Sequence, residues 1–378
     1  HYCDFYSLVD TRDRQPAFTA RLIRELEAIA PLASGEPLST IFVGGGTPTL
    51  LERTHWQTLL AAMHSSFDMT DMGQGSGEFT VECNPETADA ELFDTLVEGG
   101  VNRLSIGAQS FDKRHLHTLQ RWHDPDTVPR AIELARAAGI ERISIDLIFA
   151  IPGQTTAEWE NDLDRALGLG IDHVSCYALT YEPNTVMTAR MERGEFQPAD
   201  DDIEADMYEL TVAKLAAAGL DRYEVSNFAK PGEACRHNLA YWRHESWLAA
   251  GPSASGHLLS AQGGSWRYKI VPRIGNYLEG DGVSAVTDLE PPEAGRLAIE
   301  RVMTGLRLSE GVRRDAIIAD AEAASPGATS RVERAERPHI DAGRLDVVEA
   351  EEGSRWRLTE AGYLFADGIA SDLMAAFI

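Results

Sequence analysis

Between residues 15 and 180 the hydrophobic pattern alternates between two periods. Short apolar, β-branched runs at 40–44, 78–83, 102–109, 142–149 and 173–179 predict strands. Between them, at 18–30, 56–67, 91–98, 128–138 and 156–167, apolar residues recur at helical spacing. Strands that alternate with amphipathic helices imply βαβ units and a parallel sheet. Glycines just past the expected helix ends, in Glu98-Gly99-Gly100 and Ala138-Gly139, fit that punctuation.

Polar residues interrupt the strand runs at telling places. Glu82, Gln109 and Asp146 fall at or near C-terminal strand ends, the face where parallel α/β architectures hold ligands. Side chains alternate along a strand, so Ser144, Asp146 and Ile148 share one face while Ile145 and Leu147 face the helices. By the same parity Cys83 points away from whatever Glu82 faces and reads as a packing residue. Five strands are expected. A sixth, upstream of His1, would complete a partial (β/α)6 barrel.

Beyond residue 200 the pattern changes. A helix is expected near 203–217, then a glycine- and aromatic-rich stretch over 223–268, then a break at Pro291-Pro292. The remainder reads as helices with a hairpin at 345–348 and 356–358, which predicts a winged-helix-like domain. The expected division is 1–200 for the barrel, 201–290 for an extension and 291–378 for the C-terminal domain. The small-residue segment 321–329 is expected to be a loose connection.

Composition narrows the function classes. The 378 residues carry 34 basic and 60 acidic side chains, a formal net charge of −26. So acidic a chain repels phosphate backbones, which argues against nucleic acid as a partner. No run approaches the length of about 18 apolar residues that a membrane helix needs. The four cysteines, Cys3, Cys83, Cys176 and Cys235, are too sparse for a disulfide scaffold, and a cytoplasmic location is expected.

The strand at 40–43 runs into Gly44-Gly45-Gly46-Thr47-Pro48-Thr49. Such a glycine run lets backbone N–H groups approach a ligand closely. The lysine of a phosphate-binding P-loop is missing, which disfavours a nucleoside triphosphate. In order there follow Val81-Glu82-Cys83-Asn84-Pro85, the segment 101–110, the segment 146–155, Ser175-Cys176-Tyr177-Ala178-Leu179, Tyr223-Glu224-Val225-Ser226-Asn227-Phe228-Ala229 and Arg236-His237-Asn238-Leu239-Ala240-Tyr241-Trp242. With the opening Cys3-Asp4-Phe5, this ordered set resembles the radical S-adenosylmethionine (SAM) proteins related to oxygen-independent coproporphyrinogen III oxidase, in their heme-chaperone branch. The resemblance covers nearly the whole chain.

The resemblance implies a [4Fe–4S] cluster held by Cys-x3-Cys-x2-Cys, with Cys3 as the third cysteine and the first two upstream of His1. It implies a SAM site in which Gly45, Gly46 and Thr47 meet the methionine end. Glu82 supplies an acidic contact, Gln109 and Asp146 polar contacts toward the ribose, Arg121 a guanidinium for the carboxylate and Thr180 a further contact. For Glu82 and Asp146 the alternative is a buried ion-pair network with Arg103 or Arg121. His237, Tyr241 and Trp242 match a His-Asn-x-x-Tyr-Trp segment implicated in heme binding. An imidazole is a common axial ligand and aromatic rings can face a porphyrin. The alternatives are that Tyr241 and Trp242 anchor the loop and that Cys235 is the ligand.

Two function classes follow. One is a chaperone that binds heme and delivers it to acceptor proteins, membrane-bound respiratory enzymes among them. The other is a SAM-dependent oxidase that decarboxylates coproporphyrinogen oxidatively. Phe5 stands where the oxidases carry a further cysteine, which favours the chaperone. A SAM-dependent heme-modifying enzyme is a third reading, and a homodimer is among the assembly states left open.

Overall fold

The computed structural model describes residues 13–33, 35–183, 185–293 and 295–377. Cys3 and Phe5, and with them the cluster-ligand assignment, lie outside the described residues.

Five parallel strands, β1 (Thr40–Val43), β2 (Glu78–Cys83), β3 (Arg103–Gln109), β4 (Arg142–Phe149) and β5 (His173–Ala178), lie side by side in chain order. Helices Arg53–Ser66, Ala90–Glu98, Thr127–Ala138 and Thr156–Leu167 connect or flank them, as the two-period pattern predicts. The helix-facing side is fully apolar: Phe79, Val81, Leu104, Ile106, Ile145 and Leu147 pack against Phe93, Leu96, Ile132 and Trp159. Cys83 belongs to this core, as its parity requires. The other face carries Glu82 paired with Ser105 and Asp146 paired with Ser175, and Ser105 reaches Asp146 diagonally through its hydroxyl. The result is a half-barrel, open on its concave side and lined with polar groups.

The sheet does not end at β5. β6 (Asp221–Glu224) and β7 (Asn227–Ala229) form an antiparallel pair that continues it in the order β5-β7-β6. The helix Asp201–Ala217 also joins the barrel core through Met207 and Leu215, and the Trp159 indole donates to Thr211 Oγ1 at 2.8 Å. The sheet that starts at β1 therefore continues through Ala229. These strands have four and three residues, too few to show a period, so the aromatic-rich stretch conceals them. The sixth parallel strand expected upstream falls outside the described residues.

A second antiparallel sheet follows, β8 (Ser255–Leu259), β9 (Ser265–Ile270) and β10 (Val286–Glu290), in the order β10-β9-β8. The C-terminal subdomain is α/β. Helices Arg296–Gly305, Arg314–Ala324, Ala328–Asp341 and Ala366–Ala375 surround a sheet of β11 (Val312–Arg313), β12 (Leu345–Ala350) and β13 (Gly353–Leu358). Its own core gathers Val302, Ile317, Val332, Trp356 and Leu373. The segment expected to be loose is folded instead. Ala321 and Ala328 are buried, and the Glu322 carboxylate accepts the N–H groups of Gly327 and Thr329 at 2.8 and 2.9 Å, so small residues here mean close helix packing. Among the described residues no helix is long and apolar enough to cross a membrane.

Candidate functional site

The C-terminal strand ends gather the residues expected to meet SAM. Gly45, Gly46 and Thr47 follow β1, Glu82 lies near the end of β2, Gln109 closes β3, Arg121 lies beyond it, Asp146 lies on β4 and Thr180 follows β5. Gly45 sits at φ 88°, the left-handed region that favours glycine, and its N–H donates to Glu82 Oε2 at 2.9 Å. A Cβ on Gly44 would lie 2.5 Å from the Glu82 carboxyl carbon, whereas Gly45 and Gly46 face open space. The loop is thus closed against Glu82 on one side and open on the other.

Strain collects at the same rim. Gln109 and Ala150, at the ends of β3 and β4, hold φ of 64° and 57°. Non-glycine residues in this region cost about 1–3 kcal/mol each and cluster at functional sites. At Gln109 the strain accompanies a register shift between Gly107 and Gln109, and the Gln109 amide folds back over Gly107.

The acidic groups of this end are unusual. Burial pushes the Glu82 carboxyl up to about 7, helped by the Asp146 charge and opposed by the Gly45 N–H and Arg121. Burial also raises Asp146, while hydrogen bonds from Ser175 and Ser105 hold it down. Ser105 Oγ lies 3.2 and 3.1 Å from the two Asp146 oxygens. Glu224, missed in the sequence, belongs to the same interior: it is fully buried on β6, it accepts from Asn227 Nδ2, and burial pushes it up to about 7. Thr180 is exposed. Perturbed carboxyls in a concave site mark candidate ligand positions.

His237, Tyr241 and Trp242 are at the other end of the strands. Their helix, Arg236–Trp242, is tied to Glu78, the first residue of β2. The fully buried Glu78 carboxylate accepts the backbone N–H groups of Arg236 and His237 at 3.2 and 3.0 Å. Arg142 Nη2 lies 3.2 Å away, Arg103 Nη1 3.9 Å, and the Cys235 thiol 3.4 Å. Arg103 therefore serves Glu78 rather than pairing directly with Glu82 or Asp146. The His237 ring stacks on Phe42 with centroids 5.1 Å apart, and its Nδ1 and Nε2 meet Thr40 Oγ1 at 3.0 Å and the Tyr241 hydroxyl at 2.8 Å. Burial lowers His237 to about 4, which keeps the imidazole neutral, and raises Tyr241 to about 12. Tyr241 is 39% exposed and packs on Trp247, while Trp242 is half-buried beneath the Arg307 guanidinium. Burial also raises the Cys235 thiol to about 12, which disfavours the thiolate form that would ligate iron.

Between the ends runs a chain of hydrogen bonds: Ser144 Oγ to His173 Nδ1 at 2.7 Å, and His173 Nε2 to the Tyr223 hydroxyl at 2.9 Å. On the outside, Asp112, His115 and Glu158 bring three ligand atoms within 4.8 Å of one another. Arg114 already bridges Asp112 and Glu158 at 2.6 Å each, and Glu158 serves the capping box with Thr155, so this cluster is neutralised from within.

The donor sets differ in what they fit. The open glycine loop, the strained rim and the acidic inner face suit a ligand with cationic and hydrogen-bonding groups, as SAM has. The described cysteines do not suit an iron–sulfur cluster: Cys83, Cys176 and Cys235 are buried, scattered, and pushed up by burial.

The sequence profile of the radical SAM superfamily matches residues 1–166. The heme chaperone HemW of Mycobacterium tuberculosis is 36% identical over 378 residues, spanning 99% of this chain and 91% of that one. The Escherichia coli heme chaperone HemW is 33% identical, spanning 99% and 94%. Among solved structures, E. coli coproporphyrinogen III oxidase (HemN), a radical SAM enzyme, superposes with a TM-score of 0.79 at 20% identity, covering 98% of this chain and 86% of that one.

Proposed function

This chain belongs to the radical SAM superfamily, in the branch that holds HemW and HemN, and from that premise we propose that it is a heme chaperone. It binds heme at His237, with Tyr241 and Trp242 as contacts, and passes it to acceptor proteins, respiratory enzymes at the membrane among them. Gly45, Gly46, Thr47, Glu82, Gln109, Arg121, Asp146 and Thr180 hold SAM at the opposite end. The observation that carries the reading is His237, a neutral imidazole stacked against the barrel wall beside a partly exposed tyrosine, in a chain more than 30% identical to HemW proteins along almost its whole length.

SAM bound with a reduced iron–sulfur cluster would supply one-electron chemistry. The chain's own residues do the binding: the glycine loop offers backbone N–H groups, Arg121 a guanidinium for a carboxylate, and Asp146 an acceptor for hydroxyl groups. Cys3 is proposed as one ligand of the cluster. The C-terminal subdomain, with helices and a three-stranded sheet around one core, is proposed to be winged-helix-like. The division into barrel, extension and C-terminal domain is kept as a proposal, with the barrel sheet continuing through Ala229.

Two assays test the function. Heme titration with the wild type and His237→Ala should give a bound Soret band that weakens and shifts in the variant. Anaerobic incubation with coproporphyrinogen and SAM should give no vinyl product and no carbon dioxide. Turnover in the second assay with no heme bound in the first would favour the oxidase, the reading that the HemN-like fold keeps in play.

A further inference from the structure

Both ring nitrogens of His237 are engaged, and the two partners differ in kind. Thr40 is the first residue of β1 and is fixed by the sheet, while Tyr241 stands on the last turn of the helix Arg236–Trp242 and is 39% exposed. We propose that Thr40 is a positioning residue that fixes the His237 imidazole through Nδ1, and that the Tyr241 hydroxyl is a stopper on Nε2 which an incoming heme iron displaces. This rests on the heme-chaperone reading and deepens it, naming the atom that meets iron and the groups that control it.

The direction of the hydrogen bonds follows from acidity. A phenol, with an ordinary pKa of about 10, is a far stronger donor than an aliphatic hydroxyl. Tyr241 therefore donates to Nε2, the ring proton sits on Nδ1, and Nδ1–H donates to Thr40 Oγ1. That tautomer leaves the lone pair on Nε2, on the side of the exposed phenol rather than the barrel wall. A metal-bound histidine is held in the same way, its other ring N–H given to an oxygen that orients the ring. Here Phe42 covers one face of the ring and Glu78 holds the backbone N–H beneath it, so the imidazole is set before any ligand arrives.

Iron ligation by Tyr241 itself is the competing chemistry. It requires the phenol to lose its proton, and the base in contact with it is the same imidazole. Ligation by Nε2 breaks one hydrogen bond and moves no proton. The Tyr241 ring then turns on its side-chain torsions and keeps its contact with Trp247 as a porphyrin-facing surface.

The test is a hemin titration of the whole chain as wild type, Tyr241→Phe, Thr40→Val, Thr40→Ser and His237→Ala. It is followed by the Soret band, stopped-flow association, and the iron–histidine stretch of the ferrous form. Tyr241→Phe should bind about fivefold more tightly and associate faster, with the ligand signature unchanged, since it removes one competing hydrogen bond and keeps the ring. Thr40→Val should bind several-fold more weakly and lower the iron–histidine frequency, because Nδ1–H loses its acceptor. Thr40→Ser should restore both. Loss of binding or an altered ligand signature in Tyr241→Phe would overturn the stopper, and an unchanged frequency in Thr40→Val would overturn the positioning role. Wild-type binding and spectrum in His237→Ala would instead remove the underlying heme assignment, and the proposal with it.

Discussion

Glu78 and Glu82 stand four residues apart on one strand and point to the same side, yet their surroundings are opposite. Glu78 meets two arginines, two backbone N–H groups and a thiol. Glu82 meets one backbone N–H and the charge of a second carboxyl, with Arg121 as a weaker compensation. The protein has built a finished ion-pair knot at the N-terminal strand ends. At the C-terminal ends it has left acids that burial pushes up, Glu82 to about 7. A charge satisfied from within holds a structure together, whereas a buried acid short of partners is arranged for something that arrives.

The sharpest way to break this comparison is to remove each carboxylate. Glu78→Ala leaves Arg103 without its buried counter-charge, leaves Arg142 with Glu233 alone, and frees the start of the helix that carries His237. Breaking a buried pair on one side costs about 3–5 kcal/mol, so urea unfolding should shift by that amount. Glu82→Ala should shift it by far less, or stabilise the chain. Equal losses for the two variants would erase the distinction.

A pH series sharpens it next. Glu224 is fully buried and its carboxyl rises from an ordinary 4.5 to about 7. Between these values the folded chain holds a proton that the unfolded chain has released. Its contribution is therefore fully present below about pH 4.5, falls as pH rises through 7, and is flat above. A shift of this size corresponds to at most about 3 kcal/mol. Glu224→Gln should shrink that slope and be more stable than the wild type at pH 8, with Glu82 and the other buried carboxyls, Asp146 among them, contributing to the remainder. An unchanged slope by denaturant unfolding at pH 5 and pH 8 would mean that Glu224 finds a partner in solution.

How much of this could be read in advance depends on the length of the signal. The five parallel strands and their helices were legible because each spans enough residues to show its period, and Thr156–Leu167 matches to the residue. Parity along β4 placed Ile145 and Leu147 in the core. β6 and β7 were not legible, since such short strands take their place from pairing with β5 rather than from a pattern of their own. Of the residues proposed to hold SAM, Glu82, Gln109 and Asp146 stood out as polar groups near strand ends, while the others were named from the family resemblance. Glu78 was passed over, although it shares the parity of Glu82, because its importance comes from Arg103, Arg142 and a helix about 160 residues later. The separation of His237 from the C-terminal strand ends is likewise a fact of tertiary structure. Nothing in the spacing of His237, Tyr241 and Trp242 says which end of a barrel they cover.

The smallest effect lies within the unfinished end. Ser105 Oγ approaches both oxygens of Asp146, and its single proton is one of the few things that hold that carboxyl in its charged form. Ser105→Ala removes this donor and leaves the strand packing in place. One hydrogen bond of about 1 kcal/mol corresponds to a roughly fivefold loss of SAM affinity. Asp146→Ala, which removes the acceptor itself, should lose more, up to about a hundredfold. The Ser105 effect should also depend on pH. Without the hydroxyl the Asp146 carboxyl rises further, so more of it is protonated at pH 6 than at pH 8, and the loss should be larger at the lower pH. Anaerobic calorimetry with SAM at both values checks this. A loss independent of pH would mean that Ser105 acts on the shape of the site rather than on the charge of Asp146. An affinity unchanged at either pH would detach Asp146 from SAM and leave its unusual carboxyl without a ligand to explain it.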